Sequence, residues 1–245
     1  MIVDLMNNEN VKIQGPSYYT DCYKWWDLNL CKTNFESSEY QQMVQSNFSQ
    51  MPFWNQMACI DLQQYVNYDE YFKKLSKNVR RDVSESQSKH IYEEFDINDY
   101  VYDFSEINHS QNKRKGSINK WYLQDPKTFL GCNYDSHKWE DENHYSKWFG
   151  VFKYLKHYKQ GDRVTNKKLL AYCKLCTDGE LCSISLIWSH SNYLKNGITS
   201  HLITSVVESC FSIDRAKFLV YYAMHPWKSR LGFTQKSISI KGGVV

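Results

Sequence analysis

An α/β (α+β) architecture, with a mixed sheet flanked by helices, is what this sequence predicts, and three stretches carry the expectation. Residues 181–190 form an apolar strand pattern, residues 198–213 a helix, and residues 217–224 a second apolar strand. Residues 169–175 and 181–190 read as the two arms of a hairpin around the tight-turn pair Asp178-Gly179. Residues 68–89 place Tyr71, Phe72, Leu75, Val79 and Val83 at spacings of three and four, so one helix face is apolar.

The remaining elements follow in chain order. Residues 1–50 have weak periodicity and predict short strands, turns and a helix near 37–46. Residues 53–63 read as a strand, 91–95 as a short strand, and 99–111 as a helix with Val101, Phe104 and Ile107 on one face. A basic loop spans 112–120. Residues 121–149 are rich in tryptophan, tyrosine and histidine without a clear period, and predict loop with helical pieces. Residues 148–156 predict a short strand. Both parts of the chain have strand–helix–strand character, which predicts two fused halves, 1–112 and 113–245.

Composition narrows the functional classes. Nineteen tyrosines and eight tryptophans make an aromatic core or cleft the expectation. A net charge of +3 gives no general case for nucleic-acid binding, although local patches are open. The N-terminal stretch lacks a basic start followed by an apolar core, and no run of about twenty apolar residues occurs. A cytoplasmic protein that does not engage a membrane is the expectation. Eight cysteines then read as reduced thiols. Cys173, Cys176 and Cys182 have part of a zinc-site spacing, but no second such pair follows, and no metal is expected.

The segment between the strands at 181–190 and 217–224 carries the leading site. A strand, a polar turn ending in glycine and a helix together make an anion cradle, because the first helical N–H groups lack partners within the helix. Lys195, Asn196, Gly197 and Ile198 form that turn. His190, Tyr222 and His225 fall at the carboxyl ends of the two strands, where ligands of open α/β sheets bind. Lys228 and Arg230 are candidates to hold a phosphate or carboxylate. Arg80 and Arg81 on the basic helix are candidates to face a phosphate-bearing donor. Arg114 with Trp121 and Tyr122 mixes cation and aromatic residues in the manner of a nucleic-acid or acceptor-side contact. Each of these has an ordinary structural alternative: a buried core histidine, a solvated basic turn, a charged helix face or a surface loop.

The strand–turn–helix–strand order, closing on Arg230-Leu231-Gly232-Phe233, resembles the donor half of the GNAT N-acyltransferase superfamily. The run Leu75-Ser76-Lys77-Asn78-Val79-Arg80-Arg81 is similar to a helix of the FemAB-like and cellulose-biosynthesis-type acyltransferases. The turn departs from the superfamily's pattern of spaced glycines, offering only Lys195, Asn196 and Gly197. The resemblance implies transfer of an acyl or aminoacyl group to an amine, with acyl-CoA as co-substrate or an aminoacyl-tRNA as donor. A histidine suits the base that deprotonates the ammonium, and the resemblance implies a tyrosine as acid for the leaving group. The amine acceptor stays open among small molecule, peptide and nucleic acid. A transferase acting on a nucleobase or tRNA, and a binding module without catalysis, remain alternatives on the same fold.

Overall fold

The computed structural model describes residues 2–5, 9–12, 57–110, 123, 125, 146–178, 181–236 and 238–241. Ten strands and five helices lie within them. A three-stranded antiparallel sheet brings the two ends of the chain together: β1 (Ile2–Leu5) lies between β2 (Glu9–Lys12) and β10 (Ile238–Lys241).

The main sheet has seven strands in the order β4-β5-β6-β7-β8-β3-β9. They are β3 (Met57–Asp61), β4 (Ile91–Glu94), β5 (Ser146–Gln160), β6 (Arg163–Asp178), β7 (Leu181–Ser189), β8 (Phe218–Ala223) and β9 (Thr234–Lys236). Strands on either side of residue 112 therefore pair within one sheet. All neighbours are antiparallel except β7 and β8, which run parallel. The parallel pair is joined by α4 (Ile198–Phe211), a crossover that supplies the length a parallel connection needs. The hairpin at Asp178 forms as expected. The strand expected over 148–156 spans Ser146–Gln160, and β6 starts at Arg163, so both arms of this hairpin run past their apolar pattern.

The helix expected over 68–89 is two helices, α1 (Tyr68–Lys74) and α2 (Lys77–Gln87). Leu75 turns extended at ψ 151°, and the Ser76 hydroxyl accepts from Val79 N at 3.4 Å, which starts the second helix as an N-cap. The apolar face survives the break: Tyr71, Leu75, Val79 and Val83 are buried together. The helix expected over 99–111 is a 3-10 turn at Ile97–Tyr100 followed by α3 (Val101–His109). The predicted helix near 37–46 and the loop at 112–120 lie outside the described residues.

Two cores fill the two faces of the sheet. On one face α1, α2 and α4 cover Leu170, Cys173, Leu175, Cys182, Ile184 and Leu219. On the other face α3 covers an aromatic core of Phe95, Tyr100, Phe104, Trp148, Phe152, Tyr172 and Trp188. Phe104 stacks on Tyr172 with centroids 4.1 Å apart. This is where part of the high aromatic content goes. Among the described residues no helix is long and apolar enough to cross a membrane.

Candidate functional site

β7 and β8 pair over three positions only, Leu181 with Phe218, Cys182 with Leu219 and Ser183 with Val220. Beyond them β7 keeps its ladder to β6 through Ser189, and β8 keeps its ladder to β3 through Ala223. The two strands thus continue toward their carboxyl ends without each other. A bulge marks the point of separation: Leu175 faces Ile184 and Lys174 faces Leu186, leaving Ser185 as the extra residue. Bulges bend a strand and recur beside active sites. The result is an opening in the sheet at the carboxyl ends of its parallel strands, the position at which α/β sheets bind ligands.

The turn expected at the mouth of this opening is a 3-10 helix, Ser191–Asn196, ending on Gly197. Gly197 has φ 69° and ψ 11°, and a Cβ there would lie 2.5 Å from the carbonyl oxygen of Asp82. Only glycine satisfies both the left-handed backbone and the contact with α2. The contact also places Arg80 and Arg81, just before Asp82 on α2, beside the start of α4. Arg81 is exposed and paired with Asp82 at 3.0 Å, and Arg80 is half-buried. Lys195 and Asn196 are exposed on the turn, and Ile198 is buried as the first residue of α4. The turn thus gathers cations at a helix N-terminus, a favourable place for an anion.

His190 is buried, and both ring nitrogens are engaged. Its Nδ1 accepts from Asn192 N at 3.2 Å, and its Nε2 lies 3.2 Å from the Glu106 carboxylate on α3. This arrangement makes it a pin that holds the turn to α3. Tyr222 belongs to β8, but its side chain lies outside what the structure describes. His225 is exposed and precedes the short helix α5 (Pro226–Ser229). Arg230 is exposed on the following turn. Arg114, Trp121 and Tyr122 lie outside the described residues.

Lys228 differs most from its expected role. In the sequence it sits in a polar Trp-Lys-Ser-Arg run and reads as a candidate to hold a phosphate or carboxylate, with a solvated basic turn as the alternative. In the structure it is 2% exposed. Its Nζ donates to the Tyr221 carbonyl at 2.9 Å and lies 3.5 Å from the centroid of the Tyr221 ring. Tyr221 is the first residue of β8 beyond the last β7–β8 pair, so this amine stands where the strands part. Burial lowers its pKa to about 7. The fold holds it there through the next turn. Phe233 N donates back to Lys228 O at 3.3 Å, Gly232 has φ 83°, and the buried Tyr71 hydroxyl donates to Leu231 O at 2.8 Å. These contacts explain why glycine is needed in the Leu-Gly-Phe ending.

Sequence reasoning missed a second buried polar group behind the turn. The Ser86 hydroxyl on α2 contacts His90 Nδ1 at 3.2 Å and His201 Nδ1 at 3.1 Å. Burial, and then the nearby His90, lower the pKa of His201 to about 4. The signal was Ser86 on α2 with His90 just past its end, and the contact with His201 on α4 appears only through the packing of α2 on α4. Cys173 and Cys176 are three residues apart on β6 and so point to opposite faces of the sheet, which prevents them from sharing a metal. No cluster of three metal-ligating side chains occurs among the described residues.

Comparison with solved structures identifies the architecture. The crystal structure of FemX matches over 84% of this chain and 69% of its own, with TM-score 0.55 and 11% sequence identity. A tandem GNAT protein from the clavulanic acid biosynthesis pathway aligns over 77% of this chain and 53% of its own, with TM-score 0.46 and 10% identity. The C-terminal domain of a putative lysylphosphatidylglycerol synthetase from Agrobacterium fabrum aligns over 76% and 59%, with TM-score 0.46 and 10% identity. The chain thus spans only about half to two thirds of the length of these proteins. No family model and no curated protein matches the sequence. The chain shares the fold of FemX, as that match shows.

Proposed function

We propose that this protein transfers an acyl or aminoacyl group from an activated carrier to an amine, at the opening between β7 and β8. The observation that carries this reading is the separation of the parallel strands after Ser183 and Val220, with Lys228 buried beside it. Beyond Ser183 and Val220 the β7–β8 ladder stops, while β7 stays paired to β6 through Ser189. An extended, amide-bearing carrier such as the pantetheine arm of acyl-CoA suits such an edge, because it can add to the sheet as a strand does. The carrier's phosphates then belong at the Lys195-Asn196-Gly197 turn, with Ile198 opening α4 and Arg80, Arg81 and Arg230 as further cations.

The chemistry is direct attack. The amine nitrogen forms a bond to the carbonyl carbon, the carbon–sulfur bond of a thioester or carbon–oxygen bond of an ester breaks, and the leaving atom takes up a proton. The attacking ammonium must lose its own proton. Lys228, whose amine is partly neutral near pH 7, is matched to accept it. This assigns to Lys228 the base role first given to His190 and His225. Tyr222 keeps its proposed role as acid for the leaving group.

Thermal unfolding with coenzyme A and acetyl-coenzyme A, in wild type and Gly197→Ala, tests the reading. A ligand at 100 times its dissociation constant stabilises by about 2.7 kcal/mol. The expected result is a shift in wild type that Gly197→Ala removes. An equal shift in both proteins would place the carrier elsewhere. No shift with either ligand, together with no transfer from an aminoacyl-tRNA, would overturn the reading.

A further inference from the structure

The long hairpin of β5 and β6 is the least explained feature of the fold. β6 is level with the end of β7 at Leu170, whose carbonyl accepts from His190 N at 2.8 Å. The seven residues from Arg163 to Leu169 therefore run past the carboxyl end of β7, a projection of roughly 20 Å. The arm stands on the side of the sheet where the β7–β8 opening lies and where α4 begins.

Its charge is concentrated. Residues 153–168 hold Lys153, Lys156, Lys159, Arg163, Lys167 and Lys168 against Asp162 alone, in a chain whose whole net charge is +3. Three of these cations are committed: Arg163 to Asp99, Lys167 to Glu93, and Lys168 to Glu106 at 2.7 Å. Lys153, Lys156 and Lys159 are exposed and have no ion pair among the described residues. The arm is anchored from one side only. Tyr158 donates to Asp103 on α3, and Asp103 also accepts from Leu169 N at 2.8 Å. Phe152 packs into the aromatic core on that same side. Strand alternation then turns Lys153 and Lys159 to the opposite side, the one that carries α4.

We propose that the β5–β6 arm docks the sugar–phosphate backbone of a nucleic acid through Lys153, Lys156 and Lys159, bringing an RNA-borne substrate to the opening between β7 and β8. The proposal rests on the transfer reading of that opening. Charge complementarity favours a polyphosphate, and the form of the arm disfavours a lipid surface. Its exposed apolar residues, Tyr154 and Val164, do not share a face. Tyr154 lies on the Phe152 side. Val164 pairs with Lys159 on the other side. An element that inserts into a bilayer interface needs its apolar residues together.

The test is fluorescence anisotropy of a labelled RNA hairpin with a single-stranded 3′ end, titrated with wild type and the Lys153→Gln/Lys156→Gln/Lys159→Gln variant across a salt series. Each phosphate contact contributes about 0.9 to the slope of log affinity against log salt on duplex. The variant is expected to lose at least tenfold in affinity at low salt and to lower the slope by about 3. Equal binding by both proteins overturns the proposal. So does absence of RNA binding by wild type, including the case in which it binds vesicles of phosphatidylglycerol and phosphatidylcholine instead. The acetyl-coenzyme A shift, measured in the same variant, separates the two readings. It stays unchanged if only the arm assignment fails, because the three lysines lie outside the opening.

Discussion

The two ends of the β7–β8 pair are built from one pair of strands and behave as opposites. At the amino end, Cys182 and Leu219 face each other as fully buried neighbours in a closed ladder. At the carboxyl end, the bulge at Ser185 lets β7 follow β6 while β8 follows β3. The closed end is a site of packing, and substitutions there act on stability. The open end collects a left-handed glycine, a buried lysine and a helix N-terminus, features that cost stability and are retained where a ligand is held.

The contrast can be broken in four ways. Lys228→Met should have the largest effect, lowering turnover by about 10²–10⁴-fold while leaving the melting temperature at neutral pH equal or higher. The base assignment predicts a rate that rises with pH through about 7 in wild type and is flat there in the variant. Stability has a matching sign. The folded pKa is below the unfolded one, so burying the charge is unfavourable at pH below about 7 and this penalty is relieved as pH rises toward the ordinary lysine value. A variant that unfolds at neutral pH would make Lys228 a structural residue.

Leu219→Ala, at the closed end, should cost about 2–5 kcal/mol of unfolding free energy by chemical denaturation. Donor affinity of the folded protein should not change. A large loss of affinity would mean that the ends are not independent.

His201 lies behind the open end, and acid should act there. Its folded pKa is about 4 against an unfolded 6.5, so the unfolded chain binds the proton first. Stability is therefore full above about 6.5 and falls as pH drops toward 4, by on the order of 3 kcal/mol for this residue. His201→Gln should flatten denaturation midpoints across that window.

Gly197→Ala should have the smallest effect on stability, at least about 1–2 kcal/mol from the left-handed backbone alone. It should remove donor binding, since the turn or α2 must move away from Asp82 O.

Much of this fold was legible in the sequence wherever apolar residues follow one period. The strand–turn–helix–strand unit from Leu181 to Ala223 and the hairpin at Asp178 are such cases. The turn at Lys195-Asn196-Gly197 was found because glycine marks a backbone requirement. The break at Leu75-Ser76 was hidden, because a one-residue interruption keeps the apolar side chains on one face. The end of β5 was hidden because Lys153–Gln160 is polar and faces no core along most of its length. Lys228 could not be read as buried, since nothing local distinguishes it from Lys195. Its burial follows from Tyr221 on β8, which its amine meets, and from the turn that Tyr71, far off in sequence, holds at Leu231. The His90–Ser86–His201 group likewise exists only through the packing of α2 on α4.

The most direct test of the account is hydrogen exchange across β7 in the presence of acetyl-coenzyme A and, separately, an aminoacyl-tRNA. The account predicts that one of them slows exchange of amides within residues 184–189 while residues 181–183, already paired to β8, stay unchanged. A carrier that binds and protects some other segment, leaving 184–189 as in the free protein, would contradict it.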